Sequence, residues 1–95
     1  MAKRLEDKHK ELLNDPEYKK AYTKLEEEFL VAKALIEARK SANLTQTQVA
    51  ERMGTTQSVV ARMESGNPLP SLKSVVRYAA AVNSKIELKL VQAIE

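Results

Sequence analysis

Four polar side chains, Thr56, Gln57, Ser58 and Arg62, fall close together in a stretch whose other positions alternate with apolar residues. None of the four is needed for a core. Their groups are an amide, two hydroxyls and a guanidinium, and these are the groups that read base edges in the major groove of DNA. Glutamine pairs bidentately with adenine and arginine with guanine, while serine and threonine serve several bases. At helical spacing Thr56, Gln57 and Ser58 share one turn and Arg62 follows one turn later. A polar helix start with no partner would carry the same four residues, so the elements around them must decide.

Those elements run from Leu44 to Gly66 and predict two short helices joined by a tight turn. Thr45 is an N-cap residue, and Gln48 three residues on completes a capping box. Val49, Ala50 and Met53 form one apolar face at helical spacing. Gly54 stops the first helix, because glycine enters the left-handed region without steric cost. Thr55 or Thr56 caps the second helix, from which Val59, Val60 and Met63 are expected to face inward. Ala50 stands where two crossing helices need a small side chain. Gly66 ends the second helix. Taken whole, this pattern favours a base-reading role for Thr56, Gln57, Ser58 and Arg62.

The chain has 95 residues, a length for one small domain with an appendage. It has no cysteine, so neither disulfide nor thiolate chemistry is available. No apolar run reaches the ~20 residues of a membrane span, and the N-terminus does not read as a signal peptide. A cytoplasmic protein without a membrane association is expected. The net charge of +3 alone would not indicate nucleic acid. Its distribution says more. Residues 1–40 hold ten Lys/Arg against nine Asp/Glu, whereas residues 52–85 hold five basic residues and one acid, Glu64. If Glu64 is held inside, that segment offers a positive surface able to neutralise phosphates.

In chain order, Ala2–Asn14 is charged and weakly helical, with Leu5 and Leu12 on one face and Leu13 and His9 alongside. His9 is the only histidine and has no cysteine near it, so a solvated side chain is expected, with no metal and no cofactor. Asp15-Pro16 is a helix-start signal. Tyr18, Ala21, Tyr22, Leu25, Phe29, Ala32, Leu35 and Ile36 then recur at spacings of three and four. They predict one amphipathic helix from Pro16 to about Ser41, roughly 40 Å long at 1.5 Å per residue. Its first half should project beyond the DNA-binding body. The stripe Tyr18, Tyr22, Leu25 and Phe29 either packs on the chain's own first helix or serves as a partner surface. After Gly66, Asn-Pro-Leu-Pro predicts a loop. Ser71 caps a further helix, with Leu72, Val75, Val76, Ala79, Ala80 and Val82 toward the core. Lys73 in its first turn can reach phosphate, and Arg77 falls on the solvated side. Lys85–Val91 alternates strictly, with Ile86, Leu88 and Leu90 on one side, which is strand period. A lone strand leaves unpaired backbone groups. Its simplest partner is the same segment of a second copy across a two-fold axis, or else the edge of a sheet in a different protein.

The stretch Leu44–Gly66 resembles the helix-turn-helix of the lambda-type phage repressors, the Cro/C1 or XRE family. The resemblance covers about Ile36 to Val82. It implies that Thr56, Gln57, Ser58 and Arg62 contact bases, and that Gln46, with Thr45 beside it, and Asn67 contact phosphate, as Lys73 does. It also implies a buried structural ion pair between Arg39 and Glu64. The expected fold is mainly α: a lambda-repressor-like helix-turn-helix bundle over residues 30–83, an N-terminal helical extension over 1–29, and one C-terminal β-strand for dimerisation over 84–95.

The larger architecture, with Asp-Pro-Glu-Tyr before the motif and a short strand after it, resembles HigA-type antitoxins. That resemblance implies a partner, a small basic ribonuclease toxin of the RelE fold (HigB-like), together with autorepression of the shared operon by a dimer on double-stranded operator DNA. The toxin surface would comprise Leu5, Leu12, Tyr18, Tyr22, Leu25 and Phe29. The alternative is a stand-alone phage-type repressor without a toxin partner. An enzyme is not expected, since there is no nucleophile with a base, no carboxylate pair on a strand and no phosphate loop.

Overall fold

The computed structural model describes residues 11–12 and 14–93. Leu5, His9 and Leu13, and with them most of the expected first helix, lie outside the described residues. Four helices follow: α1 (Pro16–Ser41), α2 (Gln46–Met53), α3 (Gln57–Ser65) and α4 (Leu72–Ala81). Each begins where the sequence supplies a cap. Asp15 accepts from the Glu17 N–H at 2.9 Å, with Pro16 in the first helical position. Thr45 and Gln48 form the reciprocal capping box on α2, at 3.1 and 2.9 Å. Thr56 caps α3 and Ser71 caps α4.

Three helices end in a common way. Asn43, Gly54 and Asn83 take left-handed φ values of 58°, 70° and 60°. The following N–H in each case bonds back to an earlier carbonyl: Leu44 to Arg39, Thr55 to Ala50, and Ser84 to Ala79. This is the Schellman closure, which satisfies carbonyls left over at a helix end. Asparagine tolerates the left-handed region better than other non-glycine residues, which suits it to two of the three positions.

The core sits between the C-terminal half of α1 and the three short helices. Leu35, Val49, Ala50, Met53, Val60, Met63, Tyr78, Ala81 and Val82 are buried together. Helix α1 runs unbroken, yet none of the described residues before Glu28 is buried. Its first half therefore projects from the body, as its length required.

Three expectations need correction. In α4, Leu72 is 60% exposed and Val76 52% exposed, and Ala80 also faces outward. Tyr78 is fully buried instead. The buried face is the one on which a tyrosine hydroxyl finds partners, so the large ring can be covered without stranding its O–H. In α3, Val59 is exposed, because Val60, Met63 and Glu64 already form the inward stripe. Finally, the strand expected over Lys85–Val91 is not formed; no strand is present among the described residues. A strand needs a hydrogen-bonded neighbour, and a single copy supplies only one segment of that period. Ile86 is half-buried and lines a cleft that Leu35, Val75 and Tyr78 also line, while Leu88 and Leu90 are exposed, Leu90 to 89%.

The two glycines differ in a testable way. Gly54 has φ +70° and open space where a Cβ would stand. Gly66 has φ +73°, and a Cβ there would collide with the backbone carbonyl of Glu28 in α1. Gly54→Ala should lose about 1 kcal/mol for the left-handed backbone alone. Gly66→Ala should lose more, because α1 must also move away. Urea midpoints of the two variants, compared at equal slope, check the order.

Candidate nucleic-acid interface

The turn between α2 and α3 is three residues long, Gly54 to Thr56, and it sets the two helices against each other through Val49, Ala50, Val60 and Met63. Ala50, 3% exposed, occupies the crossing. This arrangement turns the N-terminal end of α3 outward. Thr56, Gln57 and Ser58 are exposed there, and Arg62 is exposed in the last turn of the same helix. Ser58, Val59 and Arg62 line one shallow depression of that surface. Thr56 is also occupied locally: its hydroxyl oxygen accepts from the Val59 N–H at 3.3 Å.

Of the residues expected at phosphates, Gln46 meets this end of α3 through its bond to Gln57. Thr45, Asn67 and Lys73 are exposed and Gln46 is half-buried. Ser65, which no motif marked, fixes the turn that carries Asn67. Its Oγ lies 2.6 Å from the Arg62 carbonyl and accepts from the Asn67 N–H at 3.2 Å. No acidic residue stands in the first turn of α2, α3 or α4. The positive ends of those helix dipoles are therefore left uncompensated by acids, which suits an anionic ligand.

Gln46 does more than the resemblance implied. Its Nε2 donates to Glu64 Oε1 at 3.1 Å, and its Oε1 accepts from Gln57 Nε2 at 2.6 Å. The candidate base-reading amide is thus joined through Gln46 to the buried carboxylate.

That carboxylate is the centre of the expected ion pair and of a larger network. Glu64 is 5% exposed. Arg39 donates from Nε to Oε2 at 2.8 Å and from Nη2 to Oε1 at 3.0 Å, a bidentate pairing. Arg39 Nη1 also donates to the Leu44 carbonyl at 3.0 Å. The Tyr78 hydroxyl shares its one hydrogen between Glu64 Oε2 at 2.8 Å and the Leu35 carbonyl at 2.9 Å. Burial pushes the Glu64 carboxyl upward, but hydrogen bonds from Arg39, Tyr78 and Gln46 outweigh it and hold the group below its ordinary value. The bonded carboxylate raises Arg39. Burial, followed by the adjacent carboxylate, pushes the Tyr78 phenol up. Nothing in the local spacing of Tyr78 signalled this role.

Two further arginines are committed elsewhere. Arg77 of α4 donates to the Met53 carbonyl at the end of α2, and Arg52 of α2 donates to the Ala81 carbonyl at the end of α4, at 2.9 Å. Arg77 is exposed, as expected, and this reciprocal clasp gives it a structural bond as well. The clasp satisfies orphan carbonyls at both helix ends and sets cations against both negative dipole ends.

The other candidate surfaces lie apart from α3 in sequence. On α1, Tyr18 and Tyr22 stack with ring centroids 6.4 Å apart, and Leu25 and Phe29 are each 64% exposed. Leu12 is half-buried. Among the described residues, no group of acids or histidine could hold a metal ion, and no helix is long and apolar enough to cross a membrane.

Comparison with known proteins adds independent findings. A family model described as helix-turn-helix matches residues 35–89, more than half of the chain. The chain is 37% identical over 76 residues to Antitoxin HigA1 of Mycobacterium tuberculosis strain CDC 1551 / Oshkosh, and equally so to Antitoxin HigA1 of strain ATCC 25618 / H37Rv. The aligned part is 80% of this chain and 51% of each relative, so the chain spans about half the length of the curated relatives it matches. No solved structure matches it.

The Glu64 network carries a pH signature of known sign. A carboxyl with a depressed folded-state value contributes stability that is whole above its ordinary value of 4.5 and is lost as the pH falls through the folded value. Arg39→Ala should cost ~3–5 kcal/mol at neutral pH, because it strands a buried charge. It should also flatten the loss of stability on acidification relative to wild type. Urea unfolding at neutral pH and at successive points below 4.5 checks both.

Proposed function

The chain belongs to the helix-turn-helix family, and we propose that it is a DNA-binding antitoxin that represses its own operon. The reading rests chiefly on one observation: the exposed Thr56, Gln57 and Ser58 open α3, with Arg62 exposed further along it, in residues 52–85, whose only acid is buried. In this reading α3 enters the major groove. Gln57 and Arg62 read bases, Ser58 and Thr56 assist, and Thr45, Gln46, Asn67 and Lys73 hold the phosphates. Two copies related by a two-fold axis present two such helices about one DNA turn apart. Ile86, Leu88 and Leu90 pair with their equivalents across that axis. The strand, absent from the single chain, forms when the second copy supplies its ladder.

The antitoxin part is supported by the names of the relatives and by the apolar stripe on the projecting half of α1. Tyr22, Leu25 and Phe29 are exposed on that stripe. They suit an amphipathic helix laid into the groove of a partner. That partner is a HigB-like ribonuclease of the RelE fold. Neutralisation requires only binding, so the chain itself performs no catalysis.

Two experiments test the two halves of this reading. Arg62→Ala should weaken binding to the DNA upstream of its own gene by ~1–3 kcal/mol and relax the preference at one base pair per half-site. Fluorescence anisotropy against single-base operator variants measures this; wild-type affinity in the variant would remove α3 from the groove. In co-expression with the product of the adjacent gene, the wild-type chain should retain a basic partner through purification. Leu25→Asp combined with Phe29→Asp should lose that partner while binding operator DNA as before. Tight operator binding with no partner at all would leave a plain repressor.

A further inference from the structure

The described residues contain two buried acids, and the two are satisfied in opposite ways. Glu64, 5% exposed, receives hydrogen bonds from Arg39, Gln46 and Tyr78. Glu28 of α1 is 8% exposed, and its carboxylate makes no hydrogen bond or ion pair. Yet no enclosed side-chain oxygen among the described residues lacks a partner. The Glu28 oxygens therefore keep a path to solvent while the rest of the residue is covered. Part of the cover is the turn at Gly66, which packs directly on the Glu28 backbone. A helical side chain leans over the turn before its own Cα. The Glu28 head is thus directed toward the projecting half of α1, where Leu25 lies three residues back on the same face. Leu25 and Phe29 are each 64% exposed. A recessed carboxylate stands at the foot of an open apolar surface, where the projecting half leaves the body.

Such a group has a definite chemical complement. A carboxylate only accepts, so it takes a donor, and a cationic one to match a full charge. Its own helix supplies none: Lys24, one turn back, is exposed and forms no ion pair with it. The other described acids of α1, Glu17, Glu26, Glu27 and Glu37, are exposed, where water screens a pair and leaves it little strength. At Glu28 the body already covers one side, and a protein laid on Leu25 and Phe29 would close the other. A charge pair shut off from water in this way is the kind that dominates an interface. We infer that Glu28 is the charged anchor of the partner surface and takes a guanidinium side chain of the bound protein. Arginine suits the place better than lysine, because its planar fork bonds both carboxylate oxygens and is less strongly hydrated. The apolar stripe supplies contact area and Glu28 supplies selectivity. A partner with no cation at this place would seal the carboxylate from water without giving it a donor. This inference rests on the reading of the projecting half of α1 as a partner surface.

Two variants of the full chain test it. Glu28→Gln keeps the shape and removes the charge, and Glu28→Met removes both. The probe is the protein that co-purifies on co-expression with the adjacent gene. Its affinity for either variant, measured by titration calorimetry, should fall about thirtyfold or more. Urea midpoints of the free variants should equal or exceed wild type, because no bond is lost, and operator affinity should hold. Replacing the arginines of the bound protein by glutamine, one at a time, should then reveal one whose loss costs nothing further in Glu28→Gln. A lowered urea midpoint with unchanged partner affinity would make Glu28 a structural residue and overturn the inference. A loss of affinity coupled to no arginine of the bound protein would overturn it too. So would a fall in the mass of the free variants by light scattering, which would make a second copy of this chain the occupant. A partner held equally by wild type and both variants overturns the anchor and spares the partner surface, whereas a wild-type chain that retains no partner overturns both.

Discussion

A carboxylate placed inside a small helical protein must be satisfied completely or the fold fails. Moving such a charge out of water costs several kcal/mol even after relaxation. Glu64 of α3 meets that demand with donors from each of the other helices: Arg39 from α1, Gln46 from α2 and Tyr78 from α4. Apolar burial is non-directional and would accept many relative placements of four short helices. Four hydrogen-bond directions converging on two oxygens accept few. The aliphatic core supplies the drive to collapse, and the Glu64 network supplies the register.

The same burial shapes the outer surface. With Glu64 enclosed, residues 52–85 present no other acid, so the charge seen by solvent there is positive. The count of five basic residues overstates what is free to move. Arg52 and Arg77 are tied to helix-end carbonyls, and their charges are fixed in place beside α2 and α4. Arg62 and Lys73 remain exposed at the starts and outer faces of α3 and α4, where flexible cations suit a phosphate or a base edge.

Local features of the fold were legible in the sequence because their physics is local. Asp15-Pro16, the Thr45/Gln48 box, Gly54 and Ser71 each act within one turn, and each stands where the spacing predicted it. The family resemblance supplied the Arg39–Glu64 pair, which spacing alone does not mark. Failures came where a residue's role depends on distant partners. Tyr78 was not marked by the spacing, since its two acceptors lie 14 and 43 residues away. Leu72 and Val76 satisfied helical periodicity on a face adjacent to the buried one, and in a helix of ten residues either face fits the pattern. The alternation of Lys85–Val91 is unmistakable, yet period alone cannot make a strand without a neighbour. The Gln46–Gln57 contact was likewise invisible to motif reading, which treats the two residues as separate contacts.

Helix α1 links the two ends of the described structure. Its last three turns contribute Leu35 and Arg39 to the core and the network, and its first four turns carry the apolar stripe from Tyr18 to Phe29. The crossover lies at Glu28, whose backbone meets Gly66 at the end of α3 so closely that no side chain fits between them. A partner that bent or shifted the projecting half would therefore press first on the turn that closes α3. Arg39 sits eleven residues, or roughly three turns, beyond that point on the same continuous helix. Coupling between sites needs a rigid element whose position both sites bias. Helix α1 touches the network at one end and offers an unburied apolar face at the other, and its close contact with α3 at Glu28–Gly66 lies between the two.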